Sequence, residues 1–308
     1  MPSPSPVAGS PGAAAPDAAV QVTDIRSLAL VGPSGAGKTS LAEALLAASG
    51  AIASPGSVER GSTVADHDPL ARRMGHSLQS AVLHCHWQGS RIHLVDTPGA
   101  PDFIGHSLPA LEAVDTAVVV VNAATGVEPM ALRMMQHAAE RRLDRVVVVN
   151  RIDAPGVDLA AVLAQIQAAF GRECLPLNLP CSAANGGPVQ VVDAFFNRSG
   201  NSDFGPVEAA HRALVEQVVE VDGAFVERYL ADGDVDATEL HAPLEQALRE
   251  GHLIPVCFVS ARTGAGVAAL LDVIAKLLPN PTEGNPPDFL NGEGADAVEL
   301  ISSGQIDV

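Results

Sequence analysis

Gly32-Pro33-Ser34-Gly35-Ala36-Gly37-Lys38-Thr39 fits the spacing G-x-x-x-x-G-K-[ST] of a phosphate-binding loop. The apolar run Leu28-Ala29-Leu30-Val31 precedes it and predicts a buried strand. Ser40 to Ala48 follows, rich in helix formers with leucines at helical spacing. Strand, glycine-rich turn and helix stand in the order that the motif's mechanics need. The turn lets backbone N–H groups curl around phosphate oxygens, and the helix N-terminus adds positive potential. Gly32 through Thr39, with Ser40 beside them, are therefore the candidate phosphate contacts. Lys38 is placed to reach the β- and γ-phosphates in a catalytic role, and the Thr39 hydroxyl to ligate Mg²⁺.

Working outward, further polar groups close the other predicted strands, where open α/β sheets bind ligands. Asp96-Thr97-Pro98-Gly99 ends a hairpin strand. Asp96 there can hold Mg²⁺ through water, and the Gly99 N–H can bond a γ-phosphate. Asn150-Arg151-Ile152-Asp153 ends the run Val146–Val149 and approximates N-K-x-D. The Asp153 carboxylate would accept from guanine N1 and its amino group. Adenine offers neither donor and would leave a buried carboxylate unpaired. Ser260-Ala261 ends the run Ile254–Val259, where a backbone N–H can meet guanine O6. Each turn alone is an ordinary strand ending; the four in this order define a guanine-nucleotide site.

The pattern around them predicts an α/β fold with a mainly parallel sheet of six strands, one edge strand being antiparallel. Ser80–Trp87 and Arg91–Val95 read as a hairpin, Ala117–Val121 as a further strand. Helices are expected near Ile104–Ala113, Met130–Arg141, Leu159–Phe170 and Val267–Leu278. Gly50 to Leu78 reads as a long loop where a nucleotide switch would lie. Residues 1–24 are Pro-, Ser- and Ala-rich and read as a disordered tail. An insertion spans about 172–252, with helices near Val207–Leu230 and Thr238–Arg249. Residues 282–308 read as a linker to domains that this chain lacks.

Together these motifs resemble the translational GTPases, specifically the P-loop G domain of elongation factor G-like proteins, from about Ile25 to Pro281. Leu175-Pro176-Leu177-Asn178-Leu179-Pro180 and Glu227-Arg228-Tyr229-Leu230 are similar to that family's G′ insertion. Gly61 to Pro69 resembles its approach to switch I. The resemblance implies GTP and GDP as substrate and product, Mg²⁺ as cofactor, and the ribosome as partner. It also implies departures. Gly75-His76-Ser77-Leu78 stands where the family has Arg-Gly-Ile-Thr-Ile, so Ser77 inherits the metal-ligating hydroxyl. Gly35 replaces an Asp associated with a monovalent cation, and Arg151 replaces the lysine whose stem covers the base. Ala100 replaces the histidine that orients the attacking water. His106 lies six residues further on, along a helix that turns it elsewhere.

Composition narrows the remaining classes. A net charge of −18 argues against a broad electrostatic grip on nucleic acid. The 47% hydrophobic share supports a sizeable core, and no apolar run is as long as a membrane span. Cys85, Cys174, Cys181 and Cys257 are scattered, which suits reduced thiols and a cytoplasmic setting. Lys38 and Lys276 are the only lysines, and one of them sits in the phosphate loop. His84, His86 and His93 read as the polar face of an exposed hairpin in preference to a metal site, with Cys85 pointing inward. Met134 and Met135 read as helix packing, and Asp232–Asp236 as a solvated loop. Arg72 and Arg73 read as solvated in preference to an arginine finger. Three functions follow: a slow GTPase in ribosome-linked protein synthesis, a hydrolysis-deficient GTP/GDP switch, and a tetracycline-resistance-like or release-factor-like ribosomal GTPase. An ATPase is disfavoured by Asn150 and Asp153.

Overall fold

The computed structural model describes residues 20–182, 187, 189–195, 197–221, 241–285, 289–291 and 298–300. Strands β1 (Ile25–Val31), β4 (Thr116–Asn122) and β5 (Asp144–Asn150) form the middle of one sheet. Beyond β1 lie β3 (Ser90–Asp96) and then β2 (Ala81–Trp87); beyond β5 lie β11 (Ile254–Phe258) and then β6 (Cys174–Pro176). All neighbours run parallel except β2 on β3, which pair antiparallel with His84 opposite His93.

The valine runs are continuous because both faces of the sheet are covered. Leu28, Leu30, Val118, Val120, Val146 and Val148 point to one core; Ala29, Val31, Val119, Val121, Val147 and Val149 point to the other. Helix α1 (Lys38–Ala48) packs on the first face through Leu41 and Leu45, beside α8 (Val267–Leu277). On the second face lie α3 (Ile104–Leu111), α4 (Pro129–Glu140, with Met134 and Met135 buried) and α5 (Leu159–Phe170). The mainly parallel α/β architecture read from the sequence is the one observed.

The sheet has seven strands where the sequence predicts six. Cys174-Leu175-Pro176 adds the seventh, pairing with Ile254–Val256. Three residues ending in a proline carry no periodicity, and an edge position tolerates the missing N–H. After it, β7 (Asn178–Cys181) leaves the sheet and pairs with β8 (Gln190–Asp193) as a separate antiparallel ribbon. A tight pair, β9 (Asn201–Ser202) and β10 (Gly205–Pro206), leads into helix α6 (Val207–Val219), and α7 (His241–Glu250) completes the insertion. The expected continuation of the first helix to Leu230, the start of the second at Thr238, Glu227–Leu230 and Asp232–Asp236 lie outside the described residues.

The stretch Gly50–Leu78 is not all loop. Asp68 accepts from the Leu70 N–H at 2.7 Å and caps the short helix α2 (Pro69–Met74), with proline at its first turn. Residues 282–308 contain a small antiparallel pair, Phe289–Asn291 with Val298–Leu300. No helix among the described residues is long and apolar enough to cross a membrane. His84 and His86 are exposed on the hairpin while Cys85 is buried. No His, Cys, Asp or Glu cluster fit for a metal occurs among the described residues.

Candidate functional site

The predicted site residues converge at the C-terminal ends of β1, β3, β5 and β11. The loop Gly32–Gly37 leaves β1 and enters α1 at Lys38. Gly37 sits at φ 87°, and a Cβ there would lie 2.5 Å from Asn150 Nδ2. Only glycine allows that left-handed turn together with that approach. Lys38 is 6% exposed and donates to the carbonyls of Gly32 at 3.0 Å and Pro33 at 2.9 Å. Burial pulls its ammonium down to about 8, with Asp96 and Glu128 opposing.

The three candidate metal ligands meet next to it. Thr39 Oγ1 donates to Asp96 Oδ2 at 2.7 Å and lies 3.2 Å from Ser77 Oγ. Asp96 is 1% exposed, and its Oδ1 has no hydrogen-bond partner. Burial raises its carboxyl to about 6, against the Thr39 hydrogen bond and the Lys38 charge. An all-oxygen set with an unpartnered buried carboxylate atom fits a hard divalent cation such as Mg²⁺. Thr97, bonded to the Leu30 carbonyl through its N–H and its hydroxyl, pins the Asp96–Gly99 turn to β1. Ser107 Oγ donates to the Pro98 carbonyl. Gly99 is thereby pressed against the phosphate loop: a Cβ would collide with Lys38 Nζ and stand 2.5 Å from Ser34 N. No other residue fits.

Asn150 ties the halves of the site together. Its Nδ2 donates to the Ala36 carbonyl at 3.0 Å and the Gly37 carbonyl at 3.3 Å. Its Oδ1 accepts from the N–H groups of Arg151 at 2.8 Å and Ala261 at 3.1 Å. Arg151 follows in a left-handed conformation, φ 66°, and lines both cavities of the site. The larger, of about 530 Å³, is bordered by Asn150, Arg151, Asp153, Ala261 and Arg262. The smaller is bordered by Lys38, Thr39, Ser77, Gly99 and His76. Gly37, Ser40, Glu59 and Arg151 line both, so they form one continuous groove.

The Ser260 and Ala261 N–H groups are both already bonded, to the Ala265 carbonyl at 2.8 Å and to Asn150 Oδ1. An O6 contact at Ala261 therefore requires its N–H to be shared with Asn150. His106 is exposed on α3 and lines neither cavity, whereas His76 borders the phosphate side.

Sequence reasoning missed Glu43 and Arg262. Glu43, fully buried on α1, accepts from the N–H groups of Gly56 at 2.7 Å and Val64 at 2.6 Å. It thus anchors the segment that brings Val58, Glu59 and Arg60 over the groove. A carboxylate among Leu41, Ala42, Ala44, Leu45 and Leu46 was the available signal. Arg262 pairs with Asp153.

A glycine-rich loop between β1 and α1 on a mainly parallel, doubly covered sheet is the architecture of an α/β P-loop GTPase domain. The family of the elongation factor Tu GTP binding domain matches residues 23–280, and the chain belongs to it. Within it, the chain is 35% identical to the elongation factor G-like protein of Mycobacterium tuberculosis, over 96% of this chain and 42% of the relative. It is 32% identical to the tetracycline resistance protein TetW of Butyrivibrio fibrisolvens, over 79% of this chain and 35% of the relative. A crystal structure of a Thermus thermophilus protein superposes with a TM-score of 0.77 at 34% identity, covering 85% of this chain and 41% of that one. The chain thus spans less than half the length of the relatives that it matches.

Proposed function

We propose that the chain binds GTP and GDP with Mg²⁺ and hydrolyses GTP slowly, as the nucleotide-binding part of a cytoplasmic, ribosome-linked elongation factor G-like protein. The observation that carries this reading is the Asn150 side chain, hydrogen-bonded at once to the phosphate loop and to the loop after β11. It sets the spacing between the phosphate and base subsites, which is what a nucleotide of fixed length needs. Higher identity and coverage favour the elongation factor G-like class over the tetracycline-resistance one.

Thr39, Ser77 and Asp96 would hold Mg²⁺, which when bound supplies charge neutralisation at the β- and γ-phosphates. Lys38 leaves the Gly32 and Pro33 carbonyls to reach the same oxygens, and their negative charge restores its full protonation. The Gly99 N–H donates to the γ-phosphate once its turn withdraws from the loop. Asp153 selects guanine. Orientation of the attacking water is the missing piece, because Ala100 carries no polar atom. His76, at the edge of the phosphate cavity, is the imidazole placed to take part of that role. The competing reading, a switch without turnover, rests on the same Ala100.

Competition tests the binding half. Fluorescent GDP bound to the protein should be displaced by GTP and not by a tenfold higher concentration of ATP. Asp153→Asn should shift the preference toward xanthine nucleotides, whose extra carbonyl suits an amide donor. Equal displacement by ATP and GTP rejects the reading.

A further inference from the structure

Asp153 is already occupied. Its Oδ1 accepts from Ser260 Oγ at 2.6 Å, and its Oδ2 pairs with Arg262 Nη2. Burial pushes the carboxyl up, but the Ser260 hydroxyl and the Arg262 guanidinium outweigh that and hold it below the usual carboxylate range. The Asp153 side chain is 11% exposed and that of Arg262 78%. The carboxylate is therefore fixed in the wall of the base cavity, while the arginine reaches in from solvent.

The chemistry of the two partners is the same. Guanine presents N1–H and the exocyclic amino group on either side of C2, which is a guanidine unit. An arginine guanidinium offers a carboxylate the same planar edge of parallel N–H donors. We infer that Arg262 is a built-in competitor of guanine: it holds Asp153 in the nucleotide-free protein and must swing out for the base to bind. This rests on the guanine-nucleotide reading of the same site and adds to it the residue that tunes affinity. The arginine's exposure makes the swing easy, since the released guanidinium is hydrated at once. It also limits the size of the effect, because exposed pairs are weak. The sign is fixed nonetheless. An interaction that exists only without nucleotide weakens nucleotide binding.

The test compares the wild-type chain with Arg262→Ala, using fluorescent GDP and thermal melting. The variant should bind GDP roughly two- to fivefold more tightly. The ratio between the two proteins should fall toward one in 1 M salt, which screens the pair. The variant should melt lower without nucleotide and together with wild type when saturated with GDP, a pattern that a merely structural arginine would not give. GDP affinity of the variant equal to or below wild type overturns the inference, as does a melting loss that persists under saturation. Failure of both proteins to bind GDP rejects the guanine-nucleotide reading itself and this inference with it.

Discussion

Strand β5 buries a polar side chain at each end and treats the two differently. At its C-terminal end Asn150, 1% exposed, has both amide atoms engaged, each with two backbone groups of the site. At its N-terminal end Asp144, 2% exposed, has an Oδ1 with no hydrogen-bond partner. Burial and the neighbouring Asp115 raise that carboxyl to about 7, against the pull of Arg249 and Arg145. The contrast separates two uses of a buried polar group. Satisfied at Asn150, it ties the loop before α1 to the loop after β11; unsatisfied at Asp144, it makes no such link.

The largest effect is expected at the satisfied end. Asn150→Ala leaves two loop carbonyls and two N–H groups without their partner. It should lower GDP affinity about 100-fold and cost roughly 2 kcal/mol of stability. Calorimetric titration and urea unfolding read the two quantities. Affinity within threefold of wild type would break the comparison, since Asn150 would then hold no subsite spacing.

At the other end the change is smaller and of opposite sign. The folded-state value of Asp144, about 7, lies above its ordinary 3.8. Folding therefore favours the neutral form, and its contribution is fully present below the ordinary value and lost as pH rises through about 7. Wild-type stability should fall between pH 5 and 7 through this group, by at most about 1.4 kcal/mol per pH unit. Asp144→Asn should flatten that slope and raise stability at pH 8 by roughly 1 kcal/mol, leaving GDP affinity unchanged. Unfolding midpoints across pH measure it, and a destabilised variant at pH 8 would show that the carboxylate is matched after all.

Much of this arrangement was legible in the sequence, for identifiable reasons. The motif Gly32–Thr39 fixes strand, turn and helix together, and the valine runs at Val118–Val121 and Val146–Val149 mark strands covered on both faces. The strand-end residues Asp96, Asn150, Asp153 and Ser260 then fall at the same end of one sheet once its order is set. What was not legible depended on contacts distant in sequence. Cys174–Pro176 is a strand because Ile254–Val256 lies next to it. Glu43 is informative because Gly56 and Val64 fold back over it. The Asp153–Arg262 pair and the capture of the Ala261 N–H by Asn150 both need loops from two strands. The helix Pro69–Met74 was within reach, since Asp68 followed by Pro69 is a starting signal.

On the proposed reading, the site is complete for binding and lacks, at Ala100, the side chain that would orient the attacking water. A positioned group of this kind is worth a factor of about 10²–10⁴ in rate. The direct test is a single-turnover experiment: excess protein, radiolabelled GTP and Mg²⁺, with bound nucleotide analysed over time. The label should be retained by the protein and remain GTP for minutes, and Asp153→Asn should fail to retain it. Conversion of the bound label to GDP within a second would contradict that reading and assign the water to another residue, His76 first.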